Sequence, residues 1–242
     1  MARPREFDRE KALNAAVETF WTHGFEGAGM ERLTAAMGIG RQSVYGAFGG
    51  KKALYLEALQ AYGAGSVAAL VNALRKARSP LEGLRIVLLT PIELTGPERA
   101  KGCFGINAIC EFGQSEAEVT SALSVSGRIL QIALVDLVRE AQAKGEIAPK
   151  IDPVVAVGLI QTLLSGIKVA ARAGATPEAM RKIVDLVREA QAKGEISRGI
   201  DPVVAAGLVQ TLLSGIKVAA RAGAAPDAIR AIVDLAVGAL KP

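Results

Sequence analysis

Two short runs hold the residues best equipped for chemistry. The first is Arg41-Gln42-Ser43, with Tyr45 two positions on and Lys51-Lys52 beyond it. Arginine's planar fork matches O6 and N7 of guanine, and glutamine's amide matches N6 and N7 of adenine. Such a set reads base edges rather than breaking bonds. The second run is GCFGINAICEFG, residues 102–113, which brings Cys103, Phe104, Ile106, Asn107, Cys110 and Glu111. At spacings i, i+3, i+4 and i+7, Cys103, Ile106, Asn107 and Cys110 fall near one helix face, with Glu111 beside them. Asn107 in an otherwise apolar stripe must find a partner, either a ligand or a backbone carbonyl. Along one helix the two thiols stand about 10.5 Å apart, beyond the roughly 7 Å that a disulfide spans. They are either small buried hydrophobes or, for Cys103 near a helix N-terminus, a thiolate that senses electrophiles or oxidants.

Nothing in the sequence completes a catalytic constellation. There is no Ser/His/Asp set, no Gly-rich phosphate loop and no paired set of metal ligands, so no enzyme, cofactor or metal is predicted. His23, the single histidine, falls in the last turn of a helix, where the dipole favours a cation. A chain of 242 residues that is 50% hydrophobic can bury one sizeable core, or a small domain and a larger one. Apolar positions recur at the helical period, which predicts an all-α fold. Residues 1–60 carry 8 Lys/Arg against 7 Asp/Glu, so bulk charge says little about nucleic acid; the placement of Arg41, Lys51 and Lys52 says more. The N-terminus is charged and shows no secretory signal. The run from Pro153 to Ile167 reads as too short and too polar for a membrane span. Two cysteines suit a reducing compartment. A cytoplasmic protein with no membrane contact is expected.

The elements that must present Arg41 and its neighbours are two short helices. Met30 to Met37 forms the first, with Leu33, Ala36 and Met37 inward, and Gly38 supplies the turn. The second starts near Gly40 and turns Val44 and Phe48 inward, leaving Arg41, Gln42, Ser43 and Tyr45 outside. This pattern fits a helix-turn-helix whose second helix enters the major groove. A helix capped by Asp8 precedes it, Arg9 to Thr22, stopped by Gly24. Arg3 and Arg5 belong either to an arm that reaches a minor groove or to an ordinary charged tail. Downstream, a long helix runs from Lys52 to about Val71, and another from Leu81 to about Leu89. A loop is expected over Pro91 to Lys101. Ser115 to Lys144 forms one helix, or two with a break around Ser124 to Gly127.

The motif Gly27…Leu33-Thr34…Met37-Gly38-Ile39…Val44-Tyr45…Phe48…Lys51…Leu54, after Phe20-Trp21-Thr22-His23-Gly24-Phe25, resembles the DNA-binding domain of the tetracycline-repressor (TetR/AcrR-type) regulators. The likeness covers about residues 7–60. Gly24-Phe25, Tyr45-x-x-Phe48 and Lys51 are its most specific parts. Two positions depart from the pattern: Ala28-Gly29 precedes Glu31, and Gly40 opens the second helix without a side-chain oxygen. The resemblance implies a three-helix head over residues 1–50 and a helical ligand-binding and dimerisation domain over 51–242. It implies that Arg41, Gln42 and Ser43 read bases, while the Gly40 N–H, Tyr45 and Lys51 hold phosphates, with Lys52 alongside. Residues 102–113 are similar to the family's pocket-lining helix, which nominates Cys103, Phe104, Ile106, Asn107, Cys110 and Glu111 as ligand contacts. The implied protein is a homodimeric repressor. Its partners are double-stranded operator DNA and a small, mostly apolar effector.

The sequence also repeats itself. Residues 135–183 recur as 184–232, displaced by 49 positions, and 40 of the 49 pairs are identical. Two copies do not make a solenoid. Each copy predicts a helix end, a loop, an Asp-Pro start at Asp152 or Asp201, and a helix that is apolar nearly all round. In the resembled family such helices form the dimer interface, which nominates Leu134, Leu159, Leu163, Ile167, Leu208, Leu212 and Ile216. The second copy must cover its apolar surface. It packs on the first, extends the interface or swaps into the first copy's place. A continuous helix is expected from Pro177 to Lys193. An alternative reading makes the repeat the working part of a scaffolding protein with a vestigial head.

Overall fold

The computed structural model describes residues 7–93, 100–173 and 177–242, which form helices joined by turns, with no strand among them. The Asp8 carboxylate accepts the N–H groups of Glu10 and Lys11 at 3.1 and 3.2 Å and opens α1 (Arg9–Gly27). Gly24 does interrupt that helix, with φ of 71°, yet a further turn continues to Gly27. The expected stop is therefore a kink. α2 (Met30–Met37) ends at Gly38, whose φ of 65° is left-handed backbone that favours glycine, and α3 (Arg41–Phe48) follows. α4 (Lys51–Leu74) is the long helix. Leu33, Val44, Leu54 and Tyr55 are buried together with Ala12, Ala16, Phe20, Met37 and Phe48, which ties α1 to α4 into one core.

α5 (Pro80–Glu93) extends past Pro91, where a loop was expected. Proline forfeits one N–H bond and crowds the carbonyl four residues back, and so near the helix end only the last turn is affected. The rest of the expected loop, residues 94–99, lies outside the described residues. α6 (Phe104–Phe112) and α7 (Ala117–Ala143) follow. α7 is unbroken through Ser124 and Gly127. These residues weaken a helix by about 1 kcal/mol or less each, and the buried Val119, Ala122, Leu134 and Val138 anchor it on either side.

The chain divides into two units by packing: Met1–Leu70 with Cys103–Leu130, and Val71–Gly102 with Gln131–Pro242. The second holds both repeat copies. Its remaining helices are α8 (Pro153–Ala173), α9 (Pro177–Ala192), α10 (Pro202–Arg221) and α11 (Pro226–Gly238). The copies fold alike down to single bonds. Asp152 caps α8 through the N–H groups of Val154 and Val155, as Asp201 caps α10 through Val203 and Val204. The Gln142 amide donates to the Ala148 and Ile151 carbonyls, and Gln191 donates to those of Ser197 and Ile200. Copy two packs on copy one, α10 against α8.

One expectation is corrected. α7, the Pro153–Ala170 stretch of α8, and α10 are long and apolar enough to cross a membrane, with mean hydropathies of 1.5, 1.6 and 1.7. The sequence reading looked for runs free of charge. It missed that the few charged side chains of these helices do not lower the average enough.

Leu33 has no exposed surface. Leu33→Ala is expected to lower unfolding stability by about 2–4 kcal/mol through the lost burial and the cavity left behind. Ala35→Ser on the exposed side of the same helix should change it little. Urea titration followed by circular dichroism checks both.

Candidate nucleic-acid interface

The N-terminal edge of α3 is an exposed polar surface resting on the core of the first unit. Val44 and Phe48 are 0% and 6% exposed, whereas Tyr45, one position on from Val44, is 55% exposed. Arg41 and Gln42 are exposed and Ser43 is half-buried. Gly40 is extended and offers no side-chain cap, so the first helical N–H to find a backbone acceptor is that of Val44, bonded to the Gly40 carbonyl at 3.1 Å. The preceding N–H groups of the first turn carry the positive end of the helix dipole, suited to a phosphate oxygen. Arg3 and Arg5 lie outside the described residues.

Side chains that no local pattern announced hold this edge in place. Arg9 of α1 makes a two-pronged pair with Glu57 of α4, at 2.6 and 2.7 Å. Its guanidinium also stacks 4.5 Å over the Phe48 ring. One residue thus joins α1, α3 and α4. Lys51 is half-buried with its Nζ 4.4 Å over the Phe25 ring. The ammonium is stabilised there and sits beside the end of α3. Lys52 is exposed and pairs with Glu116 at 3.0 Å and with Glu118. The Glu118 hydrogen bond foremost, then Glu116, raises its pKa. Both carboxylates compete with a phosphate for the Lys52 ammonium.

α6 packs directly on the same core. The six residues nominated there do not share one environment. Phe104 is buried, Cys103, Ile106 and Asn107 are half-buried, and Cys110 and Glu111 are exposed. Neither cysteine is in a disulfide. Phe104 meets Tyr55 and Tyr62 edge-on at 5.5 and 5.6 Å, and Phe112 meets Phe25 at 5.7 Å. Burial first, then Cys103 beside it, pushes the Tyr62 phenol up. Tyr55 is likewise raised by burial and then by the Glu111 charge, and its hydroxyl is buried with no hydrogen-bond partner among the described residues.

Glu111 turns toward α1. Its carboxylate accepts the N–H of Phe25 at 3.1 Å to each oxygen, and that of Glu26 at 3.2 Å. These donors are freed where Gly24 breaks the helix. A Cβ on Gly24 would stand 3.2 Å from Glu111 Oε2. Glu111 therefore serves as a clamp between α6 and α1, a role the sequence reading missed. The single readable signal was that Gly24 leaves N–H groups in need of acceptors.

The residues nominated for dimer contact pack within the chain. Leu134 is fully buried. Leu159, Leu163, Leu212 and Ile216 share one cluster with Ile232 and Ala236, Leu208 joins another with Val184 and Val187, and Ile167 is half-buried.

Comparison with known proteins identifies the family. Residues 12–58 match the family of bacterial regulatory proteins of the tetR type, and residues 88–186 match the tetracyclin repressor-like C-terminal domain. The second match stops as copy two of the repeat opens. An uncharacterised HTH-type transcriptional regulator of Bacillus subtilis, YezE, is 32% identical over 148 residues, which span 61% of this chain and 76% of that protein. The HTH-type transcriptional repressor ComR of Escherichia coli is 26% identical over 185 residues, 75% of this chain and 87% of its own. Among solved structures, a cysteine mutant of the regulator CifR in complex with 26-base-pair operator DNA is 31% identical. Its TM-score is 0.60, and the match covers 76% of this chain and 97% of that one. FadR of Bacillus subtilis, solved with stearoyl-CoA, shares the fold at 16% identity and a TM-score of 0.55, over 86% of this chain and 98% of that one.

Glu111→Ala should strip two backbone N–H groups of a charged acceptor. The expected cost is about 1–2 kcal/mol, with faster amide exchange at Phe25 and Glu26 than at Ala16. Hydrogen exchange read by NMR checks it, and unchanged protection at those two amides would remove the clamp from the account.

Proposed function

The chain belongs to the TetR family of bacterial regulatory proteins, DNA-binding transcriptional regulators that respond to ligands, and from that premise we propose that it is a repressor released from its operator by a small, mostly apolar molecule. The observation that carries this reading is the exposed polar edge of α3, set on buried Val44 and Phe48 and braced by Arg9. Arg41, Gln42 and Ser43 are assigned to base edges, Arg41 to guanine and Gln42 to adenine by preference. The Gly40 N–H, Tyr45 and Lys51 hold the flanking phosphates, Lys52 joins them once freed of its carboxylates, and Arg3 and Arg5 supply an arm.

Residues 1–50 act as the head and 51–242 as the effector-binding and dimerising part. The protein works as a cytoplasmic homodimer whose two heads occupy half-sites about 34 Å apart, one turn of the duplex. CifR, solved on operator DNA, supports the mode of binding. The effector is proposed to contact α6, through Cys103, Ile106, Asn107 and Cys110 on its open side. Phe104 and Glu111 carry the effect inward, because they already touch α4 and α1. An effector that shifts α6 changes the packing of the head without reaching the DNA itself. It favours whichever head spacing leaves α6 better bound. No catalytic role is assigned to any residue.

Fluorescence anisotropy with labelled DNA flanking its own gene tests the reading. Binding should be specific and should fall with salt. Arg41→Ala should weaken it by about 1–3 kcal/mol and relax the preference at one base pair. Lys51→Met should weaken all sequences alike and lower the salt slope by about 1. Equal affinity for unrelated duplexes, with Arg41→Ala silent, would overturn it.

A further inference from the structure

The two repeat copies touch through backbone. A Cβ placed on Gly166 of α8 would stand 1.9 Å from the carbonyl oxygen of Thr211 on α10. A Cβ placed on Gly215 of α10 would stand 1.9 Å from the carbonyl oxygen of Thr162 on α8. Thr211 and Gly215 are the counterparts of Thr162 and Gly166 in the second copy, displaced by 49 positions. The two contacts are therefore one contact made twice with the roles exchanged. The lower-numbered residue of one helix meets the higher-numbered residue of the other, so the helices run antiparallel about a local two-fold axis. Leu163 and its counterpart Leu212 share an apolar cluster beside that axis.

This reciprocity is the mark of an isologous interface, in which one surface fits itself. Two surfaces shaped for different neighbours would not repeat their contacts with exchanged roles. A chain with a single copy could satisfy such a surface only with a second molecule. We infer that the Thr162–Gly166 face of α8 is a self-association surface, and that the duplicated helix α10 fills it from within the same chain. This part of the molecule is a covalently joined pseudo-dimer, and a homodimer of the full chain is held together by other surfaces. The outer side of α10 differs from its counterpart in this respect: Leu213 is 51% exposed where Leu164 is 8% exposed.

Spin labels on the full chain test this. Val154 of α8 and Leu213 of α10 are 55% and 51% exposed, so labelled cysteines there leave the contact alone once Cys103 and Cys110 are changed to Ser. The expected result is one narrow α8–α10 distance by pulsed electron resonance. It should persist after refolding with an excess of unlabelled chain. Loss of that distance on dilution would place the contact between chains and overturn the inference. In addition, Gly166→Ala and Gly215→Ala should each broaden the distance and lower the melting temperature by a similar amount, roughly 5 °C or more. Gly207→Ala, whose Cβ meets nothing within 4 Å, should do neither. Tolerance of Ala at position 166 or 215, or a marked difference between the two, would also overturn it. Operator binding is a separate readout: its absence with the spin distance intact would count against the DNA reading alone.

Discussion

The buried seam beneath α3 is the constraint on which the rest depends. A helix of eight residues is too short to persist alone in water, where about 12–15 residues are marginal. Its N-cap helps little, since Gly40 contributes no side-chain bond. The helix exists because Val44 and Phe48 are removed from water, each worth about 1.5–3 kcal/mol, against Leu33 and Met37 of α2. The same burial dictates direction. With Val44 inward, helical spacing turns Gln42 away from the core and Tyr45 to its flank, while Arg41, on the same side as Val44 and Phe48, is exposed at the helix start.

The seam is then tied to the rest of its unit by charge and aromatic contact. Arg9 alone would be an ordinary surface cation. Paired with Glu57 and laid over Phe48, it couples three helices. Phe20, Phe25, Tyr55, Phe104 and Phe112 extend the core from α1 and α4 to α6. Glu111 completes the link by satisfying N–H groups that the Gly24 kink exposes. The break in α1 is therefore the docking point for α6. A change in α6 disturbs both an aromatic cluster and a charged hydrogen bond.

What was legible in the sequence was local. Asp8, Asp152 and Asp201 cap helices because the cap and its N–H groups lie within three residues. Gly38 reads as a turn because a left-handed residue is needed there. The long-range terms were not legible. Glu111 and Phe25 are 86 residues apart, and no periodicity relates them. A face drawn on a helical wheel grouped Glu111 with Cys103 and Asn107, but could not say that α1 would claim the carboxylate. Pro91 was read into a loop, and a break near Gly127 was left open, because propensity was weighed without the packing that decides it. The comparisons bear out the helical fold and the DNA-binding regulator.

The repeat shows why one kind of duplication can be absorbed. A second apolar helix of α10's composition would normally need a new complementary surface, evolved side chain by side chain. A surface that already fits itself supplies that complement at once. Only small residues at the crossing allow this, since any side chain on Gly166 or Gly215 would collide with backbone. The cost appears on the far side of α10, where Leu213 stays open to water while Leu164, its counterpart on α8, is covered. Self-complementarity thus accounts both for the tight seam between copies and for the apolar surface left over, because a two-fold contact can satisfy one face of each partner and no more.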